Sequence, residues 1–225
     1  MLAQRLGLSI NSTRRLGGWS PDDESSLVAW YQKGEGITLN GSDVSTWADS
    51  SSNSYDMVQA TANEQPAYSA GVLTFNPTTY AQNLQSSSQI TLSGQFTVGI
   101  KCNPTAFNNV VIGSNTTTNE FFKFTTTSQI RVKIDGTIQN ITLDSGTWGD
   151  DYLVLTRDGS NVLRLWNNGV VQSTTPTLSG TSDIDSLGVR FPDLNPYAGT
   201  ISEIQIYSSY STALVANVNN RLSNL

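Results

Sequence analysis

From residue 24 onward the chain alternates apolar and polar positions over short runs, the spacing of strands with one buried face. LVAWYQ, VSTW, GVLTF, QFTVGIKC, FFKFTTT, QIRVKID and TIQNITL each read as such a strand. The clearest passage is DYLVLTRDGSNVLRLWNNGVVQST. Asp158-Gly159 and Asn168-Gly169 are both dipeptides that tolerate positive φ, and each predicts a two-residue hairpin turn. Between them Leu163 and Leu165 point one way while Val162, Arg164 and Trp166 point the other, so a three-stranded antiparallel meander is predicted. Asp135-Gly136 predicts a further hairpin joining QIRVKI to TIQNITL. In YAGTISEIQIYSS the last strand follows, and Trp30 and Ile204 are expected to be buried in an inward-facing register.

The period changes at the end of the chain. In STALVANVNNRLSNL, Leu214, Val218, Leu222 and Leu225 are spaced at four, four and three residues, the stripe of one short amphipathic helix. Ser211 or Thr212 is its candidate cap. The start of the chain differs again. Residues 1–20 carry Leu2, Leu6, Leu8, Ile10, Leu16 and Trp19 with Arg5, Arg14 and Arg15 between them, and Gly17-Gly18 is a natural hinge. This segment reads as an arm, and residues 21–225, without repeat or interior linker, as one domain.

Charge sharpens the division. The chain of 225 residues has net charge −6 while its first 20 residues are +3, which leaves −9 on the remainder. An acidic body argues against nucleic acid or an anionic membrane as a partner. Charged residues are only 13% of the chain, so its polarity rests on Ser, Thr, Asn and Gln, as in β-sandwiches with polar outer faces. There is no histidine, which excludes His-based triads, His general bases and His-ligated zinc. The single cysteine, Cys102, excludes an internal disulfide and reads as a packing residue. MLAQRLGLSINSTRRLGG lacks the apolar core of a signal peptide, so a protein made in a cytoplasm is expected.

Three motifs, in order, resemble laminin-G-like domains with the concanavalin A-like jelly-roll fold. They are LVAWY with Trp47-Ala48-Asp49 and SSSNS, then TRDGSNVLRLWNNGVV, then Tyr197-Ala198-Gly199-Thr200-Ile201-Ser202-Glu203-Ile204-Gln205-Ile206-Tyr207. The resemblance spans roughly residues 24–225 and implies an all-β, two-sheet antiparallel jelly-roll sandwich with an extended N-terminal arm and a short C-terminal helix. The chain is also similar to structural proteins of marine tailed phages, particularly cyanophages, many of which pair an arm of the MLAQRLGLS type with such a domain.

The candidate chemistry is sparse. Glycoside hydrolysis needs two carboxylates facing each other across a cleft. Glu203 stands alone in ISEIQIY, Asp150 and Asp151 are adjacent and so point to opposite faces of a strand, and Asp183 and Asp185 fall in TSDID, which reads as a loop entering a strand. No catalytic residue is expected. Asp49, Ser51, Asn53 and Asp56 offer oxygen ligands in DSSSNSYD, but Ser54 replaces the sharp-turn glycine of a calcium loop and Ala60 its bidentate Glu. An ordinary turn held by Asp49 and Asn53 is therefore expected, with no metal and no cofactor. Trp47, Tyr55, Trp148 and Trp166 are candidates for stacking on a sugar, although Trp30 and Trp47 read as core.

These readings lead to a non-catalytic virion structural protein of a tailed phage, a capsid decoration or a tail- or fibre-associated component. Leu2, Arg5, Leu6, Leu8, Ile10, Arg14 and Arg15 would dock the arm on other virion proteins. The alternative is a carbohydrate-binding module for a host surface glycan, with no binding residues assigned.

Overall fold

The structure, a computed structural model, describes residues 18–225. The arm residues Leu2, Arg5, Leu6, Leu8, Ile10, Arg14 and Arg15 lie outside the described residues. In chain order the strands are β1 (Leu27–Tyr31), β2 (Ile37–Asn40), β3 (Asp43–Trp47), β4 (Met57–Val58), β5 (Ala67–Ser69) and β6 (Val72–Phe75). Then come β7 (Leu84–Leu92), β8 (Phe96–Pro104), β9 (Asn109–Gly113), β10 (Phe122–Thr126), β11 (Gln129–Ile134) and β12 (Thr137–Thr142). They are followed by β13 (Asp151–Arg157), β14 (Leu163–Asn167), β15 (Val170–Val171), β16 (Ser182–Leu187) and β17 (Gly199–Tyr207), and the chain closes with the helix α1 (Thr212–Ser223).

All these strands pair antiparallel, and they form the two layers of a jelly-roll sandwich. One layer runs β17–β8–β13–β14–β15, with β1 and β6 side by side along the outer edge of β17. The other runs β2–β3–β4–β7–β16–β9–β10–β11–β12. The short β5 pairs with both β3 and β6 and joins the layers at one edge. Between them Val98, Ile100, Leu153, Leu155 and Ile204 meet Ile90, Val111, Phe122, Phe124 and Val132 in a continuous apolar core. Cys102 is fully buried there, and burial pushes its thiol pKa up to about 12, so it is an inert packing residue.

The meander forms as expected, except at its first turn. Asn168 and Gly169 both have positive φ, and Asn167 pairs directly with Val170, a two-residue turn. Asp135-Gly136 does the same between Ile134 and Thr137. The Asp158-Gly159 turn is instead a longer loop that closes between Arg157 and Leu163, with positive φ at Asn161. The Asp158 carboxylate sets this shape, accepting the backbone N–H groups of Ser160 and Val162 and the Arg164 side chain. TSDID also differs from expectation. Ser182–Leu187 is a strand paired to β7 and β9, because Ile184 and Leu187 reach the core.

Helix α1 begins where Ser211 accepts the N–H of Leu214 at 3.0 Å. Its apolar stripe, Leu214, Val215, Val218 and Leu222, lies on Val154 and Tyr207 on the outer face of the first layer. Fully burying such side chains contributes about 1.5–3 kcal/mol each. This helix changes the meaning of Trp30. Trp30 is buried, as is Ile204, but only Ile204 faces the sandwich core. Trp30 points outward, where Arg221 of the helix lies over its ring. The inward register expected for Trp30 is therefore wrong by one residue: Ala29 and Tyr31 face the core, and the helix makes both faces of the layer interior.

Candidate functional site

The structure accounts for most of the sequence candidates as architecture. Asp49 spends both carboxylate oxygens on its own neighbourhood. Oδ1 accepts the N–H groups of Trp30 (2.9 Å) and Ser51 (2.8 Å), and Oδ2 accepts the Ser51 hydroxyl (2.7 Å) and the N–H of Tyr55 (3.1 Å). Asn53 ties the same turn to the carbonyls of Leu27 and Val28, and Asp56 accepts the N–H of Asp49. This is the turn the sequence indicated, and it pins β1 to the end of β3.

The aromatic candidates do not form a platform. Trp47 and Trp148 are buried, with their indole N–H groups on the carbonyls of Gln32 and Thr126. Trp166 packs beneath α1, and Tyr55 lies half-buried against the core. The acids also have structural partners. Glu203 is fully buried and accepts from Trp30 Nε1 (3.0 Å), Gln205 Nε2 (2.8 Å) and the Arg221 guanidinium. Asp150 pairs with Lys101, and Asp151 accepts from Gly149 N and Asn168 Nδ2. Asp185 accepts the N–H of Asn115 and Asp183 the Thr91 hydroxyl. These carboxylates hold loops and a helix in place.

A different region has the form of a binding site. At one end of the sandwich, the β6–β7, β8–β9 and β16–β17 connections surround an open depression. It is lined by Asn76, Pro77, Thr78, Ala106, Asn108, Asn109, Asn195, Pro196 and Ala198. The loops are fixed from behind. Val110 N donates to Asn195 O at 2.8 Å, Thr105 N to Ala198 O at 2.9 Å and Thr78 N to Asn76 O at 2.8 Å. Beneath them, the rings of Phe75 and Tyr197 meet edge to face at 5.7 Å. Asn108 and Asn195 adopt left-handed backbone conformations, which asparagine tolerates better than most residues.

The lining contains no charged side chain. Its asparagine amides each combine a donor and an acceptor, while the prolines and alanines supply small apolar surfaces. Among the described residues, the side chains of Asn76, Asn108, Asn109 and Asn195 make no intramolecular hydrogen bond, so their capacity is open to a ligand. The same loops carry exposed apolar groups: Tyr80, two residues beyond Thr78, is 50% exposed, and Phe191 and Leu194 are similarly open. Sequence reading passed over this end because its residues are scattered across three loops. Its one local signal is the set of three Asn-Pro dipeptides, 76–77, 103–104 and 195–196, which fall in or directly before its three loops.

No protein-family model matches the sequence, and no curated protein is significantly similar to it. Solved structures are similar in fold. The binding domain of Paraclostridial Mosquitocidal Protein 1 superposes with a TM-score of 0.60 at 12% identity, covering 91% of this chain and 53% of that one. The receptor binding domain of botulinum neurotoxin type G gives 0.55 at 10% identity, with 89% and 51% covered. The sialidase of Trypanosoma rangeli gives 0.57 at 12% identity, with 89% and 33% covered. The chain thus spans about half the length of the two toxin chains and a third of the sialidase. At this identity the likeness establishes the fold alone: a two-layer antiparallel β-sandwich.

Proposed function

We propose that this chain is a non-catalytic binding domain that takes a neutral carbohydrate in the asparagine-lined depression. The observation that carries the reading is the set of four asparagine side chains with unspent hydrogen-bonding capacity, gathered on backbone-bonded loops around an open, uncharged depression. Sugar hydroxyls need groups that both donate and accept, and the C–H face of a pyranose needs small apolar surfaces such as those of Pro77, Ala106, Pro196 and Ala198. Two of the structural neighbours are by name binding domains, which supports a binding role; the third is a sialidase, of which this chain spans a third. None of the three neighbours is a virion protein, and display on a phage particle draws no support from them.

A panel of immobilised neutral oligosaccharides, followed by calorimetric titration of any that bind, tests the reading. Binding weakened about tenfold or more by Asn76→Ala and by Asn109→Ala, lining positions without a left-handed backbone, with unchanged melting temperature, is the expected result. Binding that survives both substitutions would move the site elsewhere, and failure to bind any member of the panel would overturn the reading.

A further inference from the structure

A second polar centre lies on the outer face of the second layer, where the carboxylate of Glu120 is 5% exposed. Its Oε1 accepts from Lys123 Nζ at 3.1 Å and Arg190 Nε at 2.9 Å, and its Oε2 is 3.5 Å from an Arg131 guanidinium nitrogen. The other ion pairs among the described residues match one cation to one carboxylate: Lys101 with Asp150, Arg164 with Asp158, and Arg221 with Glu203. Here three cations share a single carboxylate, a local excess of +2. Lys133 follows two residues after Arg131 on the same face of β11, and its ammonium reaches only neutral acceptors, the carbonyl and hydroxyl of Thr118. The excess is then +3, on a chain whose net charge is −6.

Arg131 shows the shortfall most directly. Its contact with Glu120 is long, its Nε is buried without a hydrogen bond, and its side chain is still 32% exposed. Across the sheet, Arg131 stands between Lys123 on β10 and the exposed Asn140 on the edge strand β12. Lys123, beside it across the sheet, is 3% exposed and spends its charge on Glu120, which leaves less of that carboxylate for Arg131. Arg131, Lys133 and Asn140 occupy neighbouring positions on one face of the sheet, and a guanidinium, an ammonium and an amide are the donor types that an oxyanion accepts from.

We propose that Arg131, Lys133 and Asn140 form the open side of an anion-binding site, supported by Glu120, Lys123 and Arg190, that takes the sulfate or carboxylate group of an acidic ligand. The anion completes the charge balance that Glu120 alone leaves unmet. The carbohydrate reading is needed only for the carrier: an oligosaccharide bearing the acidic group. The anion site itself stands or falls separately.

Two measurements separate these parts. The first compares melting temperatures in sodium sulfate and in sodium chloride of equal ionic strength, for the wild type and an Arg131→Gln/Lys133→Gln variant. Sulfate stabilises proteins in general by exclusion from their surface, so the difference between the two proteins is the reading. A sulfate-specific rise that is larger in the wild type, and restored by Arg131→Lys with Lys133 intact, is expected. An equal rise in both proteins would overturn the anion site. The second titrates a sulfated oligosaccharide against the same oligosaccharide without sulfate. The sulfated form is expected to bind about tenfold more tightly to the wild type, a preference that salt and the double substitution abolish. Equal affinity for the two forms would overturn the oligosaccharide as carrier. Loss of unsulfated binding in Asn109→Ala, with the sulfate response intact, would show that the two sites are independent.

Discussion

Gly99 on β8 faces Val218 of α1 with no space between them for a side chain: an added Cβ would stand 2.5 Å from Val218 Cγ1 and 3.1 Å from Leu222 Cδ1. The helix therefore lies as close to the sheet as backbone permits. Gly99→Ala is expected to destabilise the protein by about 1–3 kcal/mol through overpacking. Val218→Ala in the same chain removes the methyl that clashes, so the double variant should lose less stability than the sum of the two singles. Thermal melts of the three variants decide it, and strict additivity would mean that the helix does not touch the sheet at Gly99.

Glu203 ties the same helix to β1, since it accepts from Trp30 Nε1 and from Arg221, whose guanidinium lies 4.7 Å from the Trp30 ring centroid. Removing it strands Arg221, Gln205 and the indole N–H at once. Glu203→Ala is expected to cost about 3 kcal/mol or more in chemical denaturation, and Glu203→Gln less, because the amide oxygen still accepts from the indole. Trp30 fluorescence should change in both variants.

Glu120 predicts an acid-sensitive contribution. Burial alone would raise its carboxyl, but the hydrogen bond and charge of Lys123, joined by Arg190, hold it below its ordinary value of 4.5. A carboxylate depressed in the folded state adds stability that is fully present above the unfolded value and is lost as pH falls through the folded one. Glu120→Gln should therefore melt at lower temperature than the wild type at neutral pH, with the gap closing as pH falls below 4.5. Asp185 has the opposite sign: burial, then the charge of Asp183, raises its carboxyl despite the Asn115 N–H. Asp185→Asn is expected to be tolerated better at neutral pH than Glu120→Gln.

The Asp49 turn predicts indifference to calcium. All four of its strong acceptor contacts are made within the protein. Millimolar calcium is expected to leave the melting temperature unchanged, whereas Asp49→Ala should lower stability by about 1–3 kcal/mol through unpaired backbone donors. A rise of several degrees with calcium would show that the ion displaces these contacts.

Much of the fold is legible in local pattern. Alternation marked β1, β8, β11, β13 and β14; Asn168-Gly169 and Asp135-Gly136 fixed two hairpins; and the four-residue spacing from Leu214 to Leu222 with Ser211 ahead of it located α1 and its cap. Such features depend on neighbours a few residues away, so the chain states them directly. The role of DSSSNSYD as a turn was readable for the same reason: Asp49 reaches its own backbone.

Long-range packing decided the rest. A period of two tells which residues share a face of a strand, but not what covers that face, and so Trp30 read as core although it supports the helix. Asp158-Gly159 looks like a tight turn until the loop is allowed to settle around the Asp158 carboxylate. The asparagine-lined depression draws residues from positions 76 to 198, and the Glu120 centre draws from 120 to 190. Neither is recognisable as a site in the sequence, where the Asn-Pro dipeptides mark only turns, because each exists only once connections far apart in the chain are brought to the same end or face of the sandwich. The sequence by itself determined the sheet-forming runs, the turns and the final helix, through steric and hydrogen-bonding preferences that act locally. Only the tertiary structure decided which polar groups are spent on the fold and which remain open to a ligand, because that depends on desolvation and on partners contributed by distant segments.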